Sequence, residues 1–305
     1  MLQPKLGFVG LGTMGSGMVS NLLAAGYVVT GTNRSPGRGR SLRERGMLWA
    51  EGPADAARGA DIVLVCVSDD EAVRDVLLGE NGVISAVGDG TLVVDAGTTS
   101  LALTHELADR LKALGARFVA APMTGSKLGA KNGTLTFMVG GDPADVARLE
   151  PVLEAMGRHV VHVGTDVGAG QAAKYCLNMS QAVVLQGIVE GYTLAKKLGV
   201  SLERMSEVFE NSAGRTGVGV FKTPYLFRGD DSPHFRLRLM HKDLHLALGL
   251  ASDLRVPLPA ASAVRLLYDQ GVAEGLGDRD FLALARLMER WAKVELSLPP
   301  APTAD

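Results

Sequence analysis

The sequence predicts an α/β fold. A doubly wound, mostly parallel sheet comes first, then one long helix, then an all-α C-terminal domain. Three observations carry this. Short apolar runs alternate with helical patterns as far as Val163, the order that buries a parallel sheet between two layers of helices. The stretch from Gly168 to Gly199 has no proline and no charge between Lys174 and Glu190. Beyond Gly199 no strand pattern recurs. The expected bounds are 1–165 for the sheet domain, 166–198 for the interdomain helix, 199–296 for the all-α domain and 297–305 for a Pro-rich tail.

The first element is the strand Leu6-Gly7-Phe8-Val9, followed at once by Gly10-Leu11-Gly12-Thr13-Met14-Gly15. A helical pattern runs from Thr13 to Ala25 and stops at Gly26, and a second strand covers Val28 to Thr32. Strand, GxGxxG, helix, strand is the context of a dinucleotide-binding fingerprint, which makes the sheet Rossmann-type. The glycines permit the tight turn and let backbone approach a pyrophosphate at the helix N-terminus. An NAD site usually ends the second strand with Asp or Glu; here Asn33-Arg34-Ser35 stand there, with Arg38 and Arg40 beyond. Arg34 can pair with a 2′-phosphate, and Asn33 and Ser35 can donate to it, so NADP(H) is expected ahead of NAD(H).

Asp61 to Val67 reads as a buried strand that runs into a helix start at Ser68-Asp69-Asp70. Leu92 to Asp95 is another, followed by Ala96-Gly97-Thr98-Thr99-Ser100 and a helix to about Leu114. Ligands bind at the carboxyl ends of such strands, so Val67, Ser68 and Thr98 should face the cofactor. Thr98 also suits a helix cap. Arg117–Pro122, Thr134–Val139 and His159–Val163 complete the strands. Between the first two of these lies a glycine-rich loop, where Thr124 hydroxyl and the N–H groups of Gly125 and Ser126 can nest a carboxylate.

The long helix carries one ammonium, Lys174, on an otherwise apolar or amide face shared with Asn178 four residues on. A buried lysine is costly unless paired and shifts pKa readily, which suits acid/base work. The C-terminal helices are expected at about Ser201–Asn211, Val218–Phe227, Leu239–Leu254, Pro257–Glu274 and Asp280–Leu296. Lys242 and Asp243 lie on an otherwise apolar stripe, as an ion pair or at a cleft. His241 and His245 have the spacing of a zinc pair but no HExxH and no third ligand, so no metal is expected.

Composition narrows the classes. With 47% hydrophobic and 21% charged residues and a net charge of −2, the 305-residue chain reads as globular, with no general attraction to nucleic acid or membrane. The uncharged run 175–189 contains Asn178, Ser180, Gln181 and Gln186, and a membrane span needs about 20 apolar residues. Two cysteines, Cys66 and Cys176, suggest neither a disulfide nor a cysteine metal site, and a cytoplasmic protein is expected. A first strand by about Lys5 leaves no room for a signal peptide.

Four motifs taken together resemble the β-hydroxyacid dehydrogenase family, the group of 3-hydroxyisobutyrate dehydrogenase and the glyoxylate/succinic semialdehyde reductases. They are Gly7 to Gly15, Ala121-Pro122-Met123-Thr124-Gly125-Ser126, Gly170-Gln171-Ala172-Ala173-Lys174 with Asn178, and Lys242-Asp243-Leu244. The similarity covers nearly everything from Leu6 to about Leu296. It implies that Lys174 is the catalytic acid/base, that Asn178 binds substrate, that Lys242 lies at the cofactor, and that Val67, Ser68 and Thr98 border the nicotinamide half. It also implies a small carboxylate-bearing substrate and a homodimer or homotetramer. The family usually has Ser at the positions of Gly97 and Thr124, and Gly at Ser126; Ser126-Lys127 looks more like the semialdehyde reductase branch. The expected activity is NADP(H)-dependent hydride transfer between nicotinamide and a short 3- or 4-hydroxy acid or semialdehyde acid. An imine reductase on the same scaffold and a non-catalytic NADP-binding assembly module are the alternatives.

Overall fold

The computed structural model describes residues 3–298. Most of the Pro-rich tail, and the first two residues, lie outside that range. The chain forms two compact units, one ending at Lys174 and the other beginning at Tyr175.

The first unit holds nine strands, among the described residues: β1 (Leu6–Val9), β2 (Val29–Thr32), β3 (Leu48–Trp49), β4 (Ile62–Val65), β5 (Leu92–Asp95), β6 (Arg117–Ala120), β7 (Met123–Thr124), β8 (Leu135–Gly140) and β9 (Gly157–Gly164). They make one sheet in the order β3-β2-β1-β4-β5-β6-β8-β7, with β9 also paired to β8. From β3 to β6 every pairing is parallel. Helices α1 (Thr13–Ala24), α2 (Arg40–Arg43), α3 (Pro53–Ala57), α4 (Asp70–Leu78), α5 (Leu101–Lys112), α6 (Ser126–Asn132) and α7 (Pro143–Glu154) supply the connections.

Strand alternation builds the two faces. Leu6, Phe8, Ile62, Leu64, Leu92 and Val94 pack with Met18, Val19 and Leu22 of α1 and Leu149, Val152 and Leu153 of α7. Val63, Val65 and Val93 point the other way, onto Val73 and Leu77 of α4 and Leu103, Leu107 and Leu111 of α5. Burial on both faces is why these strands read as unbroken apolar runs.

The sheet departs from parallel at one place. β6 and β7 are two pieces of one run beside β8, both antiparallel to it. Pro122 lies between the pieces, where the ladder loses a donor, and its carbonyl still accepts from Met138 N at 2.9 Å. The chain turns straight back through α6 into β8, and such a return gives antiparallel pairing; the α7 crossover then lets β9 run parallel to β8. The two-residue strands β3 and β7 were not expected, being too short to show a period.

Helix α8 (Ala169–Lys197) is continuous for 29 residues. In the second unit come α9 (Leu202–Glu210), α10 (Gly217–Arg228), α11 (Leu237–Asp253), α12 (Pro259–Ala273) and α13 (Ala285–Ala292). Its core gathers Tyr192, Leu226, Leu237, Met240, Leu244, Tyr268, Phe281, Leu282 and Leu287. Ser201 caps α9 by accepting from Arg204 N. The last predicted helix, 280–296, is instead a 3₁₀ turn over Phe281–Leu284 followed by the shorter α13. Asp280 sets that turn: its Oδ1 accepts from Leu282 N at 3.0 Å and from Lys222 Nζ at 2.6 Å. No helix of the described residues is long and apolar enough to cross a membrane.

Candidate nucleotide and acid/base site

In the first unit the predicted residues gather at the carboxyl ends of β1, β4 and β5. Gly10 has φ +101°, and a Cβ there would lie 2.3 Å from the Cys66 carbonyl oxygen. A Cβ on Gly15 would lie 2.0 Å from the Gly10 carbonyl oxygen. Neither position admits a side chain without moving backbone. Gly12 differs, since nothing lies within 4 Å of its Cβ position. No side chain caps α1, and its first turn has no acidic residue. The N–H groups that open that helix, in Gly12, Thr13 and Met14, therefore form an anion-binding end of the kind a pyrophosphate occupies.

Asn33 is also held within the fold. Its Oδ1 accepts from Leu11 N at 3.0 Å, and its Nδ2 donates to the Ser35 carbonyl at 3.1 Å. The side chain thus ties the end of β2 to the glycine turn. Arg34, Ser35 and Arg38 are exposed just beyond, where a phosphate can be met from solvent.

After β4 come Cys66, Val67 and Ser68. Burial pushes the Cys66 thiol up to about 12, with the Asp95 carboxylate adding to the effect and a Gly15 backbone hydrogen bond opposing it. Ser68 Oγ donates to Asp69 Oδ2 at 2.7 Å, and Asp69 Oδ1 caps α4 through Ala72 N.

Asp95, fully buried at the end of β5, anchors the next loop. Its Oδ1 accepts from Gly97 N at 2.8 Å, and its Oδ2 accepts from Thr99 Oγ1 at 2.6 Å and Gln171 Nε2 at 3.3 Å. Gln171 Nε2 also lies 3.2 Å from the Gly97 carbonyl, and Gln171 Oε1 accepts from Thr99 N at 3.2 Å. Gly97 and Thr99 are thereby pinned on either side of Thr98, which is half-buried. Thr98 is not the helix cap: Ser100 Oγ accepts from Leu103 N and caps α5. Nothing in the sequence pointed to Asp95 and Gln171 as partners.

The same glutamine holds the start of α8. Gly170 settles onto the strand ends, its Cβ position 2.6 Å from the Met138 carbonyl oxygen and 2.8 Å from that of Ala120. Lys174 follows Gln171 by three residues and is 6% exposed. The expected substrate loop is a short strand and a helix start. Thr124 ends β7, Gly125 has φ +130° and Ser126 φ +59°. L side chains rarely adopt that φ at position 125, so this glycine too is required by its backbone, and a Cβ there would also crowd the Leu135 side chain at 3.1 Å.

In the second unit, Asn178 is buried and its Nδ2 donates to Asp243 Oδ2 at 2.6 Å. Lys242 Nζ faces Asp243 Oδ1 at 3.0 Å. Asp243 thus has one oxygen toward an amide and one toward an ammonium, which makes it an ion-pair member. Arg215 is exposed.

Comparison with known proteins shows the family. Residues 5–164 match the NAD binding domain of 6-phosphogluconate dehydrogenase, and residues 168–288 match the NAD-binding domain of NADP-dependent 3-hydroxyisobutyrate dehydrogenase. The chain is 33% identical over 294 residues to 2-(hydroxymethyl)glutarate dehydrogenase of Eubacterium barkeri, covering 96% of this chain and 97% of that one. It is 32% identical to glyoxylate/succinic semialdehyde reductase 2 of Arabidopsis thaliana, covering 93% and 79%. Among solved structures, 3-hydroxyisobutyrate dehydrogenase of Mycobacterium tuberculosis with L-serine superposes with a TM-score of 0.84 at 32% identity, covering 94% of this chain and 99% of that one.

Proposed function

The chain is an oxidoreductase of the β-hydroxyacid dehydrogenase family, and we propose that it works with NADP(H) on a short 3- or 4-hydroxy acid or the matching semialdehyde acid, with Lys174 as general acid/base. The observation that supports this best is the Gln171 clamp on Asp95, Gly97 and Thr99. It fixes the first turns of α8, and with them Lys174, at the strand ends where nicotinamide-dependent chemistry occurs in such sheets.

The residues present fit a dinucleotide. The uncapped end of α1 with open space at Gly12 suits a pyrophosphate. Exposed Arg34 and Ser35 suit a 2′-phosphate, for which an acidic residue would be repulsive. Val67, Ser68 and Thr98 border the nicotinamide half in this reading, and Lys242 also meets the cofactor. Thr124, Gly125, Ser126 and Asn178 hold the substrate. When bound, NADPH supplies the hydride.

Lys174 handles the proton. In the reductive direction its ammonium stabilises the developing alkoxide and then donates a proton to that oxygen, leaving a neutral amine; in the oxidative direction the amine takes the hydroxyl proton. Exclusion from water strengthens that interaction.

The test is NADPH oxidation with succinic semialdehyde, methylmalonate semialdehyde, glyoxylate and tartronate semialdehyde. Lys174→Ala should lower turnover on the active substrate about 10²–10⁴-fold while NADPH fluorescence still reports binding. Near-normal turnover in the variant would remove Lys174 from the mechanism. Wild-type silence on all four aldehydes, with firm NADPH binding, would overturn the proposed substrate class.

A further inference from the structure

His241 and His245 lie one turn apart on α11, their ring centroids 4.3 Å apart and the rings edge to face. Sequence offers this pair no third donor. Asp269, on α12, supplies one: its Oδ1 lies 2.7 Å from His241 Nε2 and 3.9 Å from His245 Nε2. One ligand atom from each of the three residues lies within 4.8 Å of the others.

The surroundings orient these groups. His245 Nδ1 is 3.0 Å from the His241 carbonyl oxygen, a bond only an N–H can make. In the neutral ring Nε2 therefore carries the lone pair, the tautomer that outer hydrogen bonds select in metal-ligating imidazoles. Asp269 Oδ2 accepts from Arg265 Nη1 at 2.6 Å, which fixes the carboxylate and turns Oδ1 toward the histidines.

A bridge from His241 through Asp269 to Arg265 explains part of this cluster. It leaves His245 unexplained. Its Nε2 lies 3.9 Å from Oδ1, beyond hydrogen-bond reach, and in the neutral ring it turns a lone pair toward the carboxylate. A cation resolves that arrangement. Zinc bonds to imidazole and carboxylate of ~2.0–2.2 Å in a tetrahedron need ligand atoms roughly 3.4 Å apart. That lies between the two distances to Oδ1, so a small rotation of the Asp269 carboxylate evens them.

We propose that His241, His245 and Asp269 form a site for a zinc-class divalent cation on the second unit, with the open position left to water. Two imidazoles and a carboxylate suit zinc and its borderline neighbours rather than magnesium or calcium. The ion would clip α11 to α12.

The test uses the full chain, stripped with a chelator and titrated with Zn²⁺ by calorimetry and with Co²⁺ by visible absorption. One ion per chain should bind, and zinc should raise the melting temperature. His245 is exposed, so His245→Gln should fold normally. It should bind zinc at least ~10-fold more weakly, the lower end of what loss of an outer-shell partner alone costs, and should lose the cobalt band. Cys176→Ser should bind as wild type. No uptake by the wild type, or unchanged affinity in His245→Gln, overturns the site.

Discussion

Gln171 Nε2 lies 3.3 Å from Asp95 Oδ2, and through this contact the first turn of α8 is tied to the end of β5. Both residues are fully buried. Gln171→Leu keeps the volume but takes a donor from Asp95 and the Gly97 carbonyl and an acceptor from Thr99 N. Leaving buried polar groups short of partners costs about 1–3 kcal/mol. At ~2–4 °C per kcal/mol for a domain of this size, the melting temperature should fall by several degrees. Gln171→Glu should fall further, since it sets a second carboxylate against Asp95. Thermal unfolding of the two variants checks this; a melting temperature unchanged in both would show that the clamp holds nothing.

Gly12 and Gly15 should separate folding from cofactor binding. A methyl at Gly15 would sit 2.0 Å from the Gly10 carbonyl oxygen, whereas at Gly12 it meets no atom within 4 Å. Gly15→Ala should therefore destabilise the first unit strongly. Gly12→Ala should leave the unfolding free energy within about 0.5 kcal/mol of wild type, the usual range for substitutions that disturb no packing. In the proposed reading that methyl stands where the pyrophosphate approaches, so NADPH affinity should drop. Gly12→Ala with normal NADPH binding would place the phosphates elsewhere.

Arg34 carries the choice between NADP and NAD in the proposal. A hydrogen bond to a charged group contributes about 1.5–3 kcal/mol, which is roughly 10–100-fold in affinity. Arg34→Ala should raise the KM for NADPH by that factor and leave the NADH value nearly unchanged. Asn33 offers a contrast. It holds Leu11 N and the Ser35 carbonyl, so Asn33→Ala should weaken both cofactors together. Equal loss of NADPH and NADH in Arg34→Ala would sink the assignment.

Much of this was legible in the sequence because it rests on local rules. β1, β4 and β5 announce themselves as apolar runs since both faces are covered. The glycine turn is legible because only glycine tolerates φ +101° at position 10. What sequence hides is contact over long separations. Asp95 and Gln171 are 76 residues apart, and Asn178 and Asp243 are 65 apart. Neither pair leaves a periodic trace. The Asn33 amide can donate to a phosphate by its chemistry alone, and only the position of Leu11 N shows that its oxygen also holds the turn. The helix expected over 280–296 breaks because Asp280 is drawn to Lys222 and to the N–H groups of His234 and Phe235, residues far back in the chain.

That Lys222–Asp280 pair should govern the stability of the second unit. The two side chains are 3% and 2% exposed, with Nζ 2.6 Å from Oδ1. Burial lowers the Lys222 pKa below its ordinary 10.5, while Asp280 pulls it back up. Removing one partner of a buried pair leaves a charge uncompensated, at a cost of about 3–5 kcal/mol. Lys222→Ala should lose that much in denaturant unfolding, and Lys222→Met less, because it refills the space between Phe221 and Phe281 that the Lys222 side chain occupies. The pH dependence has a definite sign. With the folded pKa depressed, the unfolded chain binds the extra proton between the two values, so this group's contribution rises with pH up to about 10.5 and is lost as pH falls through the folded value. The stability of the wild type relative to Lys222→Met should therefore improve on going from pH 7 to pH 10. A difference that stays flat, or that shrinks with rising pH, would mean the lysine carries its proton as easily inside the fold as in water.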